Sequence, residues 1–241
     1  MAPTRRAIVL SSLAALHSKA ADWNAPPFPN WSPDTVLKLL VDSPWAKPKE
    51  VRLTWYPKGE QPVTYKDVPG ANATGIASST ARGGSPVGGI GAPKPKLPSH
   101  AALILRWASA LPVRQAKALY RQREDKRDPL DALDMVEARH PGYALEIFGL
   151  PLEAAHKGTG VLESALRAGT VLRTKGGRAL RPMRVEARVR GTGSDATVLF
   201  DRAEMLSPAD REIEIAVNAG LFEFRERCRL APMVYAGHFE I

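Results

Sequence analysis

The pattern of apolar and polar residues predicts a mixed helical and strand segment followed by a strand-rich segment. A helix start is predicted at Ser32, because this capping hydroxyl precedes Pro33 at the first helical position and an acid in the first turn. The dipeptide Ser43-Pro44 predicts the end of that helix. Alternation then predicts a half-buried strand whose inward residues are Val51, Leu53 and Trp55.

The middle of the chain predicts two more strands and three more helices. Residues 103–109 have strand character around Trp107, and a helix is predicted from Leu111 to about Glu124. We expect its apolar face to hold Val113, Ala116, Leu119 and Tyr120. A second capped start at Asp128-Pro129 predicts a helix that carries Leu130, Leu133 and Val136 and stops at Pro141. The alternating Tyr143, Leu145 and Ile147, a turn at Gly149 to Pro151 and a short helix at Val161 to Ala168 complete this part.

In the last third of the chain, apolar and polar residues alternate with a period of two, which predicts short antiparallel strands with one face exposed to water. The inward sets are Val185, Ala187 and Val189, then Ala196, Val198 and Phe200, then Ile213, Ile215 and Val217, then Phe222 and Phe224. The residues Asn218-Ala219-Gly220 predict a tight hairpin connection, because Asn and Gly tolerate positive φ. We predict an α+β fold, mainly antiparallel β-sheet, with several short helices packed on one side.

The amino terminus predicts export. Arg5 and Arg6 precede an apolar stretch from Ala7 to Leu16, and small residues at 18 and 20 indicate cleavage after Ala20. We therefore interpret residues 1–20 as a signal peptide of Sec or Tat type, the alternative being an N-terminal helix of a cytosolic protein. Residues 21–241 are predicted to form a single α+β domain, in which residues 69–98 form a flexible loop rich in Gly, Ala, Ser and Pro.

Composition narrows the class of protein. Hydrophobic residues make up 44% and charged residues 24% of the 241 residues, as in folded soluble proteins. The net charge of +9 favours anionic partners without selecting among them. Cys228 is the sole cysteine, which excludes an internal disulfide and any site built from several cysteines.

No motif in the sequence assigns a reaction, a metal or a cofactor. The histidines lie on separate predicted elements and include no pair spaced to share one helix face: His17, His100, His140, His156 and His238. Ser207 or Ser194 near Asp210 or Asp195 is interpreted as turn chemistry, and Cys228 as a buried thiol. The five tryptophans are interpreted as core and anchoring side chains rather than as a carbohydrate or peptide platform.

Arginines on the outward strand positions suggest an anion-binding surface, but interleaved glutamates explain them more simply through cross-strand ion pairs. These arginines are Arg184, Arg188, Arg190, Arg225, Arg227 and Arg229. Glu226 breaks the pattern, since it falls on the inward side between Phe224 and Cys228. It indicates either a β-bulge or a buried acid paired with an arginine.

Three stretches of the chain together carry a resemblance to a known family of proteins. They are Ser43-Pro44-Trp45-Ala46-Lys47, the run from Arg106 to Ala116 (RWASALPVRQA) and the tail from Met233 to Ile241 (MVYAGHFEI). In this order, with the glycine-rich loop and the export signal, they resemble a family of uncharacterised exported proteins common in acidobacteria. The resemblance implies export and a globular α+β domain, and it brings no established activity and no catalytic residue.

We therefore expect a non-enzymatic exported protein that binds or supports an unknown protein or envelope component in the periplasm or outside the cell. We expect no cofactor, no nucleic-acid partner and no transmembrane segment in the mature chain. The alternative is an exported hydrolase whose site is assembled from dispersed residues.

Overall fold

The structure of the protein is a computed structural model that describes residue 23 and residues 27–55, 97–124, 128–138, 140–155, 157–191, 193–203 and 206–241. The predicted signal peptide, and residues 69–96 of the predicted loop, lie outside these residues. The predicted helices are confirmed as α1 (Pro33–Val41), α2 (Leu111–Glu124), α3 (Pro129–Glu137) and α4 (Thr159–Gly169).

Helix α1 begins where the sequence predicts it. The Ser32 hydroxyl accepts a hydrogen bond from the backbone N–H of Thr35 at 3.1 Å, and Pro33 occupies the first turn. At the other end, the Ser43 hydroxyl donates to the carbonyl of Leu39 at 3.0 Å and so satisfies one of the last carbonyls. The apolar side of α1 is buried through Val36, Leu39 and Leu40.

Eleven strands are present in the described residues, and all their pairings are antiparallel. They are β1 (Ala46–Arg52), β2 (His100–Trp107), β3 (Tyr143–Pro151), β4 (Thr170–Thr174), β5 (Ala179–Leu180), β6 (Pro182–Arg190), β7 (Gly193–Phe200), β8 (Glu212–Asn218), β9 (Glu223–Arg229), β10 (Val234–Tyr235) and β11 (His238–Phe239). A five-stranded sheet has the order β1-β2-β3-β7-β6, a four-stranded sheet has the order β5-β4-β8-β9, and β10 pairs with β11. The predicted α+β class is confirmed.

The two larger sheets share one hydrophobic core. Leu105, Trp107, Leu145 and Val198 of the five-stranded sheet belong to the same buried cluster as Ile213, Ile215 and Phe224 of the four-stranded sheet. Because side chains alternate along a strand, burial of these residues on one face leaves their sequence neighbours on the opposite face. The opposite face of the five-stranded sheet carries the candidate site.

The C-terminal hairpin has the predicted register. Gly220 has φ +75°, and its N–H donates to the Asn218 side chain at 3.0 Å, so the turn uses the conformational freedom of both residues. Val217 pairs with Phe224, and the rings of Phe222 and Phe224 stack with centroids 6.2 Å apart. The register runs without a shift past Glu226, so the predicted bulge is wrong. Glu226 is paired with a lysine rather than an arginine, because Nζ of Lys49 lies 2.9 Å from its carboxylate.

Five local predictions are wrong. Strand β1 ends at Arg52, before the predicted inward residues Leu53 and Trp55, although both are buried. Val189 is 42% exposed, because it lies near the end of β6 at the edge of its sheet. Gly149 does not begin a turn, because β3 continues to Pro151 through a register shift between Ile147 and Leu150, where Gly149 has φ +93°. Tyr120 and Leu133 lie on the predicted apolar sides of their helices, yet they are 40% and 49% exposed. Helical spacing identifies an apolar side, but the width of the side that is covered depends on the neighbouring elements.

Candidate functional site

The outer face of the five-stranded sheet is polar and charged. Cross-strand pairing aligns Arg106 of β2 with Glu146 of β3, and Glu146 with Thr197 of β7. Thr197 in turn pairs with Glu186 of β6. We call this surface the outer face and define it by Arg106, Glu146, Phe148, Asp195, Thr197 and the β6 residues Arg184, Glu186, Arg188 and Arg190.

Helix α2 brings a lysine onto this face. Only residues 108–110 connect the end of β2 to the start of α2, so the helix stays close to the sheet it has just left. Lys117 of α2 donates to both carboxylate oxygens of Glu146, with Nζ 3.2 Å from Oε1 and 3.0 Å from Oε2. Nη1 of Arg106 lies 3.6 Å from Oε2 of the same carboxylate. One acid is therefore shared by two cations.

This ion cluster of Arg106, Lys117 and Glu146 is largely removed from solvent. The side chains are 8%, 23% and 15% exposed, respectively. Burial alone would raise the pKa of Glu146, but the charges of Lys117 and Arg106 outweigh burial and hold that pKa below its ordinary value. Burial lowers the pKa of Lys117, although Glu146 opposes the shift. The cluster thus keeps its carboxylate ionised and carries one positive charge in excess.

Arg106 is the least satisfied member of the cluster. A guanidinium carries five N–H donors, yet no described residue accepts a hydrogen bond from Arg106. Its Nε is fully buried without a partner, and its guanidinium carbon lies 5.4 Å above the centre of the Phe148 ring. Buried polar groups in proteins are nearly always hydrogen-bonded, so the Nε–H of this arginine is a donor that the described fold does not use.

Further ion pairs extend from the cluster across the outer face. Glu186 is shared by two arginines, with its carboxylate 2.7 Å from Arg184 and 3.2 Å from Arg188. Asp195 lies 3.6 Å from Arg190. Together with the ion cluster, five cations surround three acids, which leaves two positive charges in excess on this face.

The rim beside α2 carries a histidine and a tyrosine. His140 is half-buried, and burial, followed by the charges of Lys117 and Arg114, lowers its pKa. Burial lowers the pKa of Arg106. The charge of Glu146 opposes that shift most strongly, followed by Asp195 and then Tyr120. Tyr120 therefore lies near the cluster, and its 40% exposure places it at the border with solvent.

The serine and aspartate residues weighed for hydrolysis have structural roles. Ser207 and Asp210 form a capping box around a short 3₁₀ turn, in which the Ser207 N–H donates to Asp210 at 2.9 Å. Ser194 is buried and donates to the carbonyl of Pro151 at 3.1 Å. Asp195 faces the outer face, away from both. The structure therefore brings Ser207 and Asp210 together as a turn cap, in which the Ser207 hydroxyl also donates to Asp210 at 3.4 Å.

Cys228 is buried, as its inward position predicts. Burial, with Glu226 as the next cause, raises the pKa of its thiol to about 12. A thiol with this pKa is almost fully protonated at neutral pH and is a poor nucleophile.

The six outward arginines do not share one surface. Arg184, Arg188 and Arg190 lie on β6 in the five-stranded sheet, whereas Arg225, Arg227 and Arg229 lie on β9 in the four-stranded sheet. The predicted cross-strand ion pairs are confirmed for Arg190 with Asp195 and for Arg227 with Glu214, whereas Arg184 and Arg188 pair with Glu186 on their own strand. On the four-stranded sheet, Glu214 lies 3.5 Å from Arg227 and 3.9 Å from Arg173.

The three stretches that carry the family resemblance meet in the fold. The indole N–H of Trp45 donates to the carbonyl of Glu240 at 2.7 Å. The carboxylate of Glu240 accepts the N–H of Leu111 at 2.9 Å and so satisfies one of the free donors at the start of α2. Trp31, Trp45 and Trp107 are at most 2% exposed, which confirms their role in the core. A cavity beside Trp45 and Cys228 has a volume of about 10 Å³, too small for anything larger than one water molecule.

Comparisons with family models, with curated proteins and with solved structures return no match to this chain. Among the described residues, no group of three or more His, Cys, Asp or Glu side chains is arranged to hold a metal ion. No helix in the same residues is long and apolar enough to cross a membrane.

Sequence reasoning missed all three members of the ion cluster. Arg106 and Glu146 alternate with buried neighbours and therefore resemble solvated residues on a wet face. The signal that was available is the short connection between β2 and α2, which keeps the helix next to the face on which Arg106 lies.

Proposed function

We propose that the protein is an exported, non-enzymatic binding protein that recognises its partner through the outer face of the five-stranded sheet. The observation that carries this proposal is Arg106, a nine-tenths buried arginine whose fully buried Nε has no hydrogen-bond partner in the described fold, while its Nη1 lies 3.6 Å from Glu146. Maintaining a fully buried N–H of a guanidinium without a hydrogen bond is unfavourable. A partner that accepts that hydrogen bond would recover the loss.

The balance of charge on the outer face supports an anionic partner. Five cations and three acids lie there. Two of their ion pairs join neighbouring strands, one joins α2 to β3, and two lie within β6. Fixed side chains lose less conformational entropy on binding than free ones, so such a face is suited to recognition. The residues weighed for hydrolysis instead make hydrogen bonds within turns and strands, which favours binding over the alternative of an exported hydrolase.

The export component of the proposal rests on the amino-terminal pattern and on the family resemblance. We expect the mature protein to begin near Ala21, because the basic, apolar and small-residue zones converge there. Intact-mass measurement on protein isolated from the producing cells tests this. Material that retains residues 1–20 would overturn export, whereas it would leave recognition through the outer face open to its own test.

A site-specific crosslinking experiment tests the recognition surface. A photoreactive amino acid replaces Tyr120 at the rim of the ion cluster, and in a matched variant it replaces Leu37 on α1. The two positions are 40% and 39% exposed, so they differ in location rather than in accessibility. In the producing cells, we expect crosslinked adducts from position 120 that position 37 does not form. Equal adducts from both positions, or none from position 120, would contradict the proposal.

A further inference from the structure

We propose that the outer face recognises a carboxylate group, which Arg106 and Lys117 bind at the ion cluster. This inference rests on the proposed binding function and names the chemistry of its ligand.

Hydrogen-bonding capacity is the first argument. Lys117 has three N–H donors and makes two contacts to the oxygens of Glu146, and no described residue accepts a hydrogen bond from Arg106, whose Nη1 lies 3.6 Å from Glu146. The planar fork of an arginine matches the two oxygens of a carboxylate, so one carboxylate can accept two parallel hydrogen bonds from it. The ligand would therefore use donors that are already present, and neither cation would have to leave Glu146.

Charge is the second argument. The two cations and one acid of the ion cluster leave a single positive charge, which one carboxylate neutralises. A phosphate monoester carries about −1.5 to −2 charges at pH 7 and would bring excess negative charge next to Glu146. In a largely buried site an uncompensated charge is costly, so the charge balance favours the monoanion.

The residues beside the ion cluster indicate what kind of molecule carries the carboxylate. The ring of Phe148 lies under the Arg106 guanidinium, and Ile104 precedes Arg106 on the same face of β2. Both residues are partly exposed, so they offer apolar surface beside the charged group. The site therefore fits the end of a larger molecule. Two sources share this chemistry, namely the carboxylate of a peptide and the carboxylate of an acidic sugar.

Titration of the full chain tests the inference. The probes are sodium acetate, N-acetylalanine as a peptide C-terminus and galacturonate as an acidic sugar, each at fixed ionic strength set with chloride. The readout is the ¹⁵N resonance of the Arg106 Nε, identified by its loss in an Arg106→Lys variant. We expect a saturable shift of this resonance with carboxylates, at concentrations at which sodium sulfate and inorganic phosphate leave it unmoved. A tighter response to N-acetylalanine than to galacturonate assigns a peptide, and the reverse order assigns a sugar.

A matched pair of variants separates the site from general charge effects. Lys117→Met should weaken carboxylate binding about tenfold or more, because it removes a charged donor from the site. Arg227→Met removes an arginine that is also paired with a glutamate, but on the four-stranded sheet, and should leave binding unchanged. Equal weakening in both variants would show a nonspecific charge effect and overturn the inference.

The inference and the proposed function can fail separately. An unresponsive Arg106 resonance, or one that follows phosphate and carboxylate alike, overturns carboxylate recognition. If position 120 still gives its specific adducts, the outer face binds its partner through other chemistry.

Discussion

Removal of the Glu146 charge should destabilise the protein more than any other single change within the ion cluster. Glu146→Gln preserves the shape of the side chain and leaves Lys117 and Arg106 without the acid they share. Breaking a buried ion pair by removing one partner costs about 3–5 kcal/mol, because the remaining charge is desolvated and unpaired. The carboxylate is 15% exposed and Lys117 is 23% exposed, so we expect the lower end of that range, about 3 kcal/mol.

Two further variants make this prediction specific. Lys117→Met removes a buried cation and leaves Glu146 paired with Arg106, so its cost should be no more than about 1 kcal/mol. In the double variant, loss of Lys117 relieves part of the repulsion that Glu146→Gln creates. The double variant should therefore be more stable than the sum of the single effects predicts, by about 1–3 kcal/mol. Glu214→Gln is the control, since Glu214 is also shared by two arginines, but these are 50% and 71% exposed. Its cost should not exceed about 1 kcal/mol.

Urea unfolding at several pH values measures all four variants. The pKa of Glu146 is lowered in the folded protein, so the stability it contributes is full above its ordinary pKa and is lost as pH falls through the folded value. The difference between wild type and Glu146→Gln should therefore be largest near neutral pH and shrink in acid. A cost below about 0.5 kcal/mol at pH 7, or a cost equal to that of Glu214→Gln, would refute the view that the cluster is effectively buried.

Other measurements check the rest of the structure. Phe224→Ala should cost about 3–5 kcal/mol, since the side chain is 7% exposed and stacks on Phe222. Arg225→Ala, one residue along on the exposed face, should change the free energy of unfolding by no more than about 0.5 kcal/mol, and equal losses in urea melts would mean that the strand register is wrong. Cys228, with a thiol pKa of about 12, should react with a chromogenic disulfide reagent at pH 8 only at the rate at which the protein unfolds, and rapid labelling of folded protein would contradict its burial. His140 has a lowered pKa, so below its ordinary value the unfolded chain binds a proton that the folded protein resists. Stability should consequently fall between pH 7 and 5, and His140→Gln should reduce that fall; an unchanged pH profile would show that His140 titrates alike in both states.

Local sequence signals predict the local structure of this protein well. The Ser32 cap and the Asn218–Gly220 turn are recovered because each depends on hydrogen bonds within a few residues. The alternation of Ile213, Ile215 and Val217 likewise predicts which side of β8 is buried, since a one-residue slip would expose all three residues.

The division of the strands between two sheets was not predicted, because alternation is a property of one strand and does not identify its neighbours. Strands β6 and β7 follow each other directly and pair, whereas β4 lies between β5 and β8 in the other sheet. Strands β4 and β5 were not predicted, and β5 is only two residues long. The partner of Glu226 was not predicted for the same reason, since Lys49 is distant in sequence and approaches from β1.

Alternation predicts on which face of the sheet the charged residues of the candidate site lie, but it cannot predict that they are buried. Alternation places Arg106 on the other face of β2 from Leu105 and Trp107. It likewise places Glu146 on the other face of β3 from Leu145 and Ile147. The direction in which both charges point therefore follows from the sequence. Their burial does not, because it depends on contacts between elements, among them the contact of Lys117 on α2 with the Glu146 carboxylate. A cross-strand ion pair that remained in water would contribute little to the free energy of folding, and water would accept hydrogen bonds from its donors. In the buried pair, the charges of Lys117 and Arg106 both lower the pKa of Glu146, and Nε of the guanidinium loses water without gaining a hydrogen bond. The binding capacity that we assign to Arg106 therefore depends on tertiary contacts that join β2, β3 and α2 at the ion cluster, and its chemistry can be tested at that one side chain.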